Sequence, residues 1–291
     1  MIIKCEGIVK DYNKKMRALK GVDLEIPAGV FGLIGRNGAG KTTLLRIMAS
    51  VLTATEGKVY FDGKPMDDHL AEYRSMLGYL PQNTKLMPQL NIEEFLEYMC
   101  ILKGIRSKEE AKVEIERCIE ISGLDSHRKK RLGKYSGGML RRAGIAQALL
   151  GDPKILIIDE PTTGLDPEER LYFLNLISRI SADKNIILST HIIHDVENVC
   201  ENVCILEKGE VMYAGATQGM VDSVTDRTWL YTGKAGEENL LKKLATVTNI
   251  TYTTAGMQAR YVADEPVVDG SEKIVGTLED AYIAAVGGVS R

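Results

Sequence analysis

No apolar run in the chain approaches the ~18 residues that a membrane-crossing helix needs, and Met1-Ile2-Ile3-Lys4 does not begin a signal peptide. The expectation is a chain made and kept in the cytosol. An excess of one charge is also missing: 37 Lys and Arg against 40 Asp and Glu leave a net charge of −3. That excludes an electrostatic case for a nucleic-acid partner or a polybasic membrane anchor. Cysteine is scarce. Cys5, Cys100, Cys118, Cys200 and Cys204 are odd in number and scattered, with no C-x-x-C. Cys200 and Cys204 are four apart, but no His or Cys cluster accompanies them to complete a metal site, so buried reduced thiols are expected. Sustained heptads are absent too.

What is present is an ordinary globular composition, 44% hydrophobic and 26% charged over 291 residues, enough for a full core and a small second unit. Within it, the apolar run Val30-Phe31-Gly32-Leu33-Ile34 ends at Gly35, and Gly40-Lys41-Thr42 follows after four residues. This is the G-x-x-x-x-G-K-[ST] spacing of a phosphate-binding loop. Gly35, Gly38 and Gly40 let the backbone curl its N–H groups around a β-phosphate. Lys41 supplies a point charge for the β/γ oxygens, and the Thr42 hydroxyl is placed to ligate Mg²⁺. Thr42 to Met48 reads as a helix whose positive end faces the phosphates.

Ahead of the loop, Ile2 to Val9 and Val22 to Ile26 alternate as strands, with Tyr12 just beyond the first, before the charged turn Asn13-Lys14-Lys15. After it, Lys58 to Phe61 is a strand leaving into the tight turn Asp62-Gly63. Leu77 to Leu80 is a short buried strand closed by Pro81, which leaves Gln82 at the carboxyl end, where open parallel sheets bind ligands. A glutamine there is either a Mg²⁺ or water contact or simply solvated. From Pro88 to Arg131 the pattern turns helical. Asn91 with Glu94 and Ser107 with Glu110 both match capping-box spacing, and Gly123 stops the second helix.

Ser136-Gly137-Gly138 opens a further helix, and its accessible first turn is a second anion-binding candidate. Ile155 to Ile158 is a continuous apolar strand ending Asp159-Glu160, and two adjacent carboxylates there need a cation or a water to hold. Asp159 near Mg²⁺ and Glu160 orienting or deprotonating an attacking water fit that need. Asp166 caps a helix with Pro167 at its first position, and His191 ends another apolar strand, Asn185 to Ser189.

These motifs, in this order, resemble the ATP-binding cassette (ABC) ATPases over roughly Ile2 to Thr217. By that resemblance Tyr12 stacks on adenine, and Gly35, Arg36, Asn37, Gly38, Ala39, Gly40, Lys41, Thr42 and Thr43 form the Walker A loop. Gln82 is the Q-loop glutamine, a metal contact with Thr42 and Asp159. Ser136, Gly137, Gly138 and Met139 are the signature, acting on the nucleotide of a second chain. Glu160 is the catalytic glutamate, Asp166 lies in the D-loop, and His191 is the switch histidine. Tyr135 and Met139 depart from the usual Leu-Ser-Gly-Gly-Gln, and Met139 cannot offer the amide hydrogen bonds of Gln.

The resemblance implies an α/β fold: a P-loop NTPase (RecA-like) core with an N-terminal antiparallel β-subdomain and a helical insertion at about 88–145. The cassette would span 1–216 and a small C-terminal α+β appendage 217–291. It implies ATP and Mg²⁺ as cofactors, a second cassette subunit, and an integral membrane permease docked on the insertion and on Asn83 to Gln89. The chain would then sit on the cytoplasmic face of the cell membrane. The appendage is similar to tails on bacterial exporter cassettes, which points to export over import. A cassette acting on the ribosome or DNA is the competing expectation, disfavoured by the single phosphate loop. A kinase or GTPase gives no reason for Ser136-Gly137-Gly138 before Asp159-Glu160.

Overall fold

The computed structural model describes residues 1–13, 16–84, 86–254 and 256–287. Lys14 and Lys15 of the charged turn, and Lys85 of the segment Asn83 to Gln89, lie outside the described residues. In chain order the first half contains β1 (Ile3–Asn13), β2 (Met16–Ile26), β3 (Gly29–Ile34), α1 (Lys41–Met48), β4 (Glu56–Phe61), β5 (Lys64–Pro65), α2 (Leu70–Ser75), β6 (Leu77–Leu80), α3 (Ile92–Leu102), α4 (Lys108–Ser122) and α5 (Gly137–Leu149). The second half contains β7 (Ile155–Asp159), α6 (Pro167–Ile180), β8 (Asn185–Thr190), α7 (Ile193–Val199), β9 (Asn202–Glu207), β10 (Glu210–Ala216), α8 (Thr217–Thr225), β11 (Thr228–Gly233), α9 (Glu238–Leu244), β12 (Thr246–Thr253), β13 (Gly256–Val262), β14 (Glu272–Lys273) and α10 (Leu278–Val286).

The central sheet runs β10-β9-β3-β8-β7-β6, parallel except for β10. Its inner strands are apolar on both faces, and their period of two deals residues to two cores. Val30, Ile34, Leu156, Ile158, Ile186 and Leu188 join the core under α3, α4 and α5, while Phe31, Leu33, Ile155, Ile157 and Ile187 join the core under α1 and the N-terminal sheet. Each such side chain, once fully buried, contributes roughly 1.5–3 kcal/mol. The N-terminal sheet, β2-β1-β4-β5, is antiparallel, and β4 and β5 reach it from beyond the phosphate loop. Positive φ at Asp62 and Gly63 makes the tight turn between them.

α3 and α4 lie within the expected helical insertion, and α5 runs on past its end to Leu149. The Asn91–Glu94 capping box forms, whereas at Ser107 only half of one does: Ser107 accepts from the Glu110 N–H while its hydroxyl donates to Glu109. All five cysteines are buried and free. Burial pushes the thiols of Cys5, Cys118, Cys200 and Cys204 up to about 12.

The third sheet, β12-β13-β11-β14, has its own core of Leu241, Val247, Met257, Ala259 and Tyr261. The two helices flanking it go elsewhere. Met220 and Val224 of α8 and Leu278, Ala281 and Tyr282 of α10 belong to the large core of the central sheet. The division expected at 216/217 therefore does not separate two cores, because the appendage lends two helices to the cassette.

Candidate functional site

The parallel register brings four segments side by side. Ile34 pairs with Thr190, Asp159 with Ser189, and Leu80 with Ile158. The phosphate loop, His191, the two carboxylates and Gln82 thus leave adjacent strands at the same edge. A cleft of about 650 Å³ opens there, lined by Arg36, Asn37, Gly38, Gly40, Lys41, Thr42, Thr43, Gln82 and Glu160 and walled by Met16, Arg17, Ala18, Lys20 and Lys208.

Gly40 caps α1 at φ 109°, and a Cβ there would lie 2.8 Å from the Ala18 carbonyl, so the loop can press against β2 only with glycine. No cap side chain takes up the first N–H groups of α1, leaving them for an anion. Lys41, 5% exposed, folds back: Nζ donates to the carbonyl of Gly35 at 2.7 Å and of Arg36 at 3.3 Å, and lies 3.1 Å from Glu160 Oε1.

Glu160 sits at φ 48°, a conformation costing of order 1–3 kcal/mol for a non-glycine residue. Its Oε2 meets His191 Nδ1 at 2.7 Å and accepts from Thr163 Oγ1 at 3.0 Å. Burial drives the Glu160 carboxyl upward, but the Lys41 ammonium and the hydrogen bonds from His191 and Thr163 outweigh it and hold the pKa below the usual carboxylate range.

Asp159 is 1% exposed; Oδ1 accepts from Ser189 Oγ at 2.6 Å and from Thr42 Oγ1 at 3.3 Å, while Oδ2 is buried with no partner. An orphaned carboxylate oxygen beside a threonine hydroxyl is the hard-oxygen donor set a divalent ion such as Mg²⁺ takes. Among the described residues no group of three His, Cys, Asp or Glu forms a metal site of another kind.

Tyr12 is half-exposed and bonded through its hydroxyl to Thr43 Oγ1 at 3.2 Å. Gln82 is exposed on the cleft wall, and its carbonyl accepts from Arg141. The signature residues and Asp166 are not among those lining the cleft. Ser136 and Gly137 are exposed, with Ser136 capping α5 through the Met139 N–H. A Cβ on Gly138 would strike the Glu169 carboxylate at 2.4 Å, and Met139, 7% exposed, turns into the large core. Tyr135 is buried too, with its hydroxyl on the His127 carbonyl. The two departures from the usual signature are thus core residues in this chain. Asp166 caps α6 by accepting from the Glu169 N–H at 2.9 Å.

Sequence reasoning missed the residues that hold these groups. Ser189 Oγ donates to Asp159 and accepts from the Glu160 N–H at 3.0 Å, setting both carboxylates at once. Asp195, fully buried, accepts from Thr162 at 2.6 Å, from Thr190 at 3.4 Å and from Arg170 Nε at 2.5 Å, anchoring the turns on either side of His191 and Glu160. No local signal marks either residue, because Ser189 meets Asp159 from 30 positions away and Asp195 meets Thr162 and Arg170 from 33 and 25.

This fold and site define a P-loop nucleoside triphosphatase. A family model described as ABC transporter matches residues 19–163. The Nod factor export ATP-binding protein I of Cupriavidus metallidurans is 35% identical over 224 residues, covering 76% of this chain and 73% of that protein. An uncharacterized ABC transporter ATP-binding protein of Synechocystis is 37% identical over 235 residues, 79% of this chain, and the chain spans 65% of its length. Among solved structures, a dimeric ATP-binding cassette in a post-hydrolysis state, bound to ADP and Pi, matches with TM-score 0.66 and 29% identity over 74% of this chain and 98% of that one.

The chain belongs to the ATP-binding proteins of the ABC transporter family, whose members bind and hydrolyse ATP, dimerise and work with membrane permeases. Among the described residues no helix is long and apolar enough to cross a membrane.

Proposed function

We propose that this chain is the ATP-hydrolysing subunit of an exporter, acting from the cytoplasmic face of the cell membrane through a separately encoded permease. The observation that carries the reading is the constellation of Lys41, Glu160, His191 and the unpartnered Asp159 oxygen at the ends of neighbouring parallel strands. Residues 35–43 hold the phosphates and Tyr12 meets the adenine. Thr42, Asp159 and Gln82 would hold Mg²⁺, which would supply positive charge to neutralise the phosphates.

Glu160 orients the attacking water and takes its proton. Lys41 leaves Glu160 when it turns to the phosphates, and burial of the carboxyl is then opposed only by the hydrogen bonds from His191 and Thr163. Its pKa rises and it becomes a better base when nucleotide is present. His191 keeps the carboxylate aimed. In a dimer, Ser136 and Gly137 offer their exposed helix start to the γ-phosphate held by the other chain, with Asp166 at that interface. Residues 1–216 form the cassette and 217–291 an α+β appendage. The insertion at about 88–145 and residues 83–89 dock on the permease.

Export is supported by the similarity to the Nod factor export protein of Cupriavidus. The test is ATP-driven movement of solute in everted membrane vesicles carrying this chain with its separately encoded permease. Accumulation inside supports export; ATP-driven depletion refutes it in favour of import.

A further inference from the structure

The chain leaves β6 with little to hold it. Pairing with β7 ends at Leu80 opposite Ile158, and Pro81, which has no N–H, cannot extend the ladder. The next residue is Gln82, which lines the cleft with Thr42 and Glu160. It is exposed, and among the described residues its one hydrogen bond comes from α5, where Arg141 Nη1 donates to the Gln82 carbonyl at 2.5 Å. Arg141 itself is half-buried and makes no ion pair among the described residues. Packing aims its guanidinium. Gly144 lies one turn further along α5 on the same face, and a Cβ there would stand 2.6 Å from Leu80 Cδ1 and 3.4 Å from Thr84 Oγ1, so the helix comes down on both sides of Gln82. Thr84 Oγ1 in turn donates to the Pro81 carbonyl at 3.1 Å and closes the turn.

We propose that Arg141 is a positioning residue for the metal end of the nucleotide site: by holding the Gln82 main chain against α5, it sets Gln82 where it can meet Mg²⁺. The inference rests on the proposed reading of Gln82 as a metal contact. A hydrogen bond from a charged donor is roughly twice as strong as a neutral one, which suits an exposed residue that no ladder bond reaches. Arg141 then acts on the metal only through Gln82, and the phosphate loop does not depend on it.

Arg141→Met removes the donors and keeps an unbranched, helix-forming side chain. Titrating the full chain with ATP in a calorimeter, once with Mg²⁺ and once with EDTA, separates the metal from the phosphate loop. With Mg²⁺ the variant should bind about 10-fold more weakly, the low end of the cost of losing an outer-shell partner of a metal ligand. With EDTA it should match the unaltered chain, because residues 35–43 are untouched. Gln82→Ala should show the same split, and adding Arg141→Met to it should change nothing further, because no side chain remains to be positioned.

If Gln82→Ala is weakened with Mg²⁺ and Arg141→Met is not, the role of Arg141 is overturned while the reading of Gln82 stands. A loss in Arg141→Met that is equally large with EDTA, or that persists in full on Gln82→Ala, also overturns it, since either marks a general packing defect. A Gln82→Ala chain that binds ATP with Mg²⁺ as the unaltered chain does overturns the reading of Gln82 itself, and the role of Arg141 falls with it.

Discussion

Replacing Glu160 by Gln tests the chemistry at its centre. The carboxamide keeps the shape and can still accept from Thr163, now 3.0 Å from Oε2, but it can take no proton. Losing a positioned base costs ~10² to 10⁴ in rate, about 2.7–5.4 kcal/mol of barrier. Nucleotide binding moves the other way. With Lys41 Nζ 3.1 Å from Oε1, the pair attracts by about 5 kcal/mol at an effective dielectric of 20, before desolvation is charged against it. A phosphate entering the loop must compete with that attraction, and in Glu160→Gln it does not have to.

The variant should therefore bind ATP at least as tightly as the unaltered chain, hydrolyse it far more slowly, and collect as an ATP-bound dimer. Phosphate release, a binding titration and size-exclusion chromatography with ATP read the three effects separately. Unchanged turnover refutes the role of Glu160. Turnover lost together with ATP binding refutes the competition for Lys41.

Ser189→Ala removes the hydroxyl that holds both carboxylates, and turnover should fall roughly 10- to 100-fold, the cost of a small displacement of reacting groups; an unchanged kcat would show that the strand end alone sets them. Asp280 is driven up by burial but held below the usual range by Arg260, Thr248 and Thr277. Its depressed pKa contributes stability that is present above about pH 4 and lost as pH falls through the folded value. Asp280→Asn should cost roughly 2–3 kcal/mol at pH 7 and flatten the acid limb, read from the fluorescence of the sole tryptophan, Trp229 in β11; an acid limb unchanged in steepness would remove Asp280 as its source. Mixing Lys41→Ala with Ser136→Ala chains, both carrying Glu160→Gln, should yield heterodimers that occlude ATP although neither parent does, since one of the two sites is then intact. A confirmed heterodimer without occluded nucleotide rules out a site shared between chains.

The parts of this site that were legible are those encoded locally. Glycine spacing gives the loop, continuous apolar runs give β3, β7 and β8, and the residues just past those runs are the site. The misses begin where a local rule has a competitor. β1 reads as ending at Val9 because register shifts between Cys5 and Val9, around Gly7 at φ 57°, break its period of two; the strand nevertheless continues to Asn13. At Ser107 the spacing of a capping box is present, but Glu109 takes the hydroxyl and the box stays half formed.

A second kind of miss has no local signal. Arg17, Lys20 and Lys208 wall the cleft, and Ser189 and Asp195 fix the turns that carry Glu160 and His191, only because the sheet order carries distant segments together. The appendage is the clearest case. Its helices α8 and α10 show ordinary patterns, and nothing in them says which of two available cores receives their apolar faces. The receiving core is the large one, into which α10 carries Leu278, Ala281 and Tyr282. A boundary drawn where the motifs stop therefore marks where the chemistry stops being written in sequence, and the large core extends past it to the last helix.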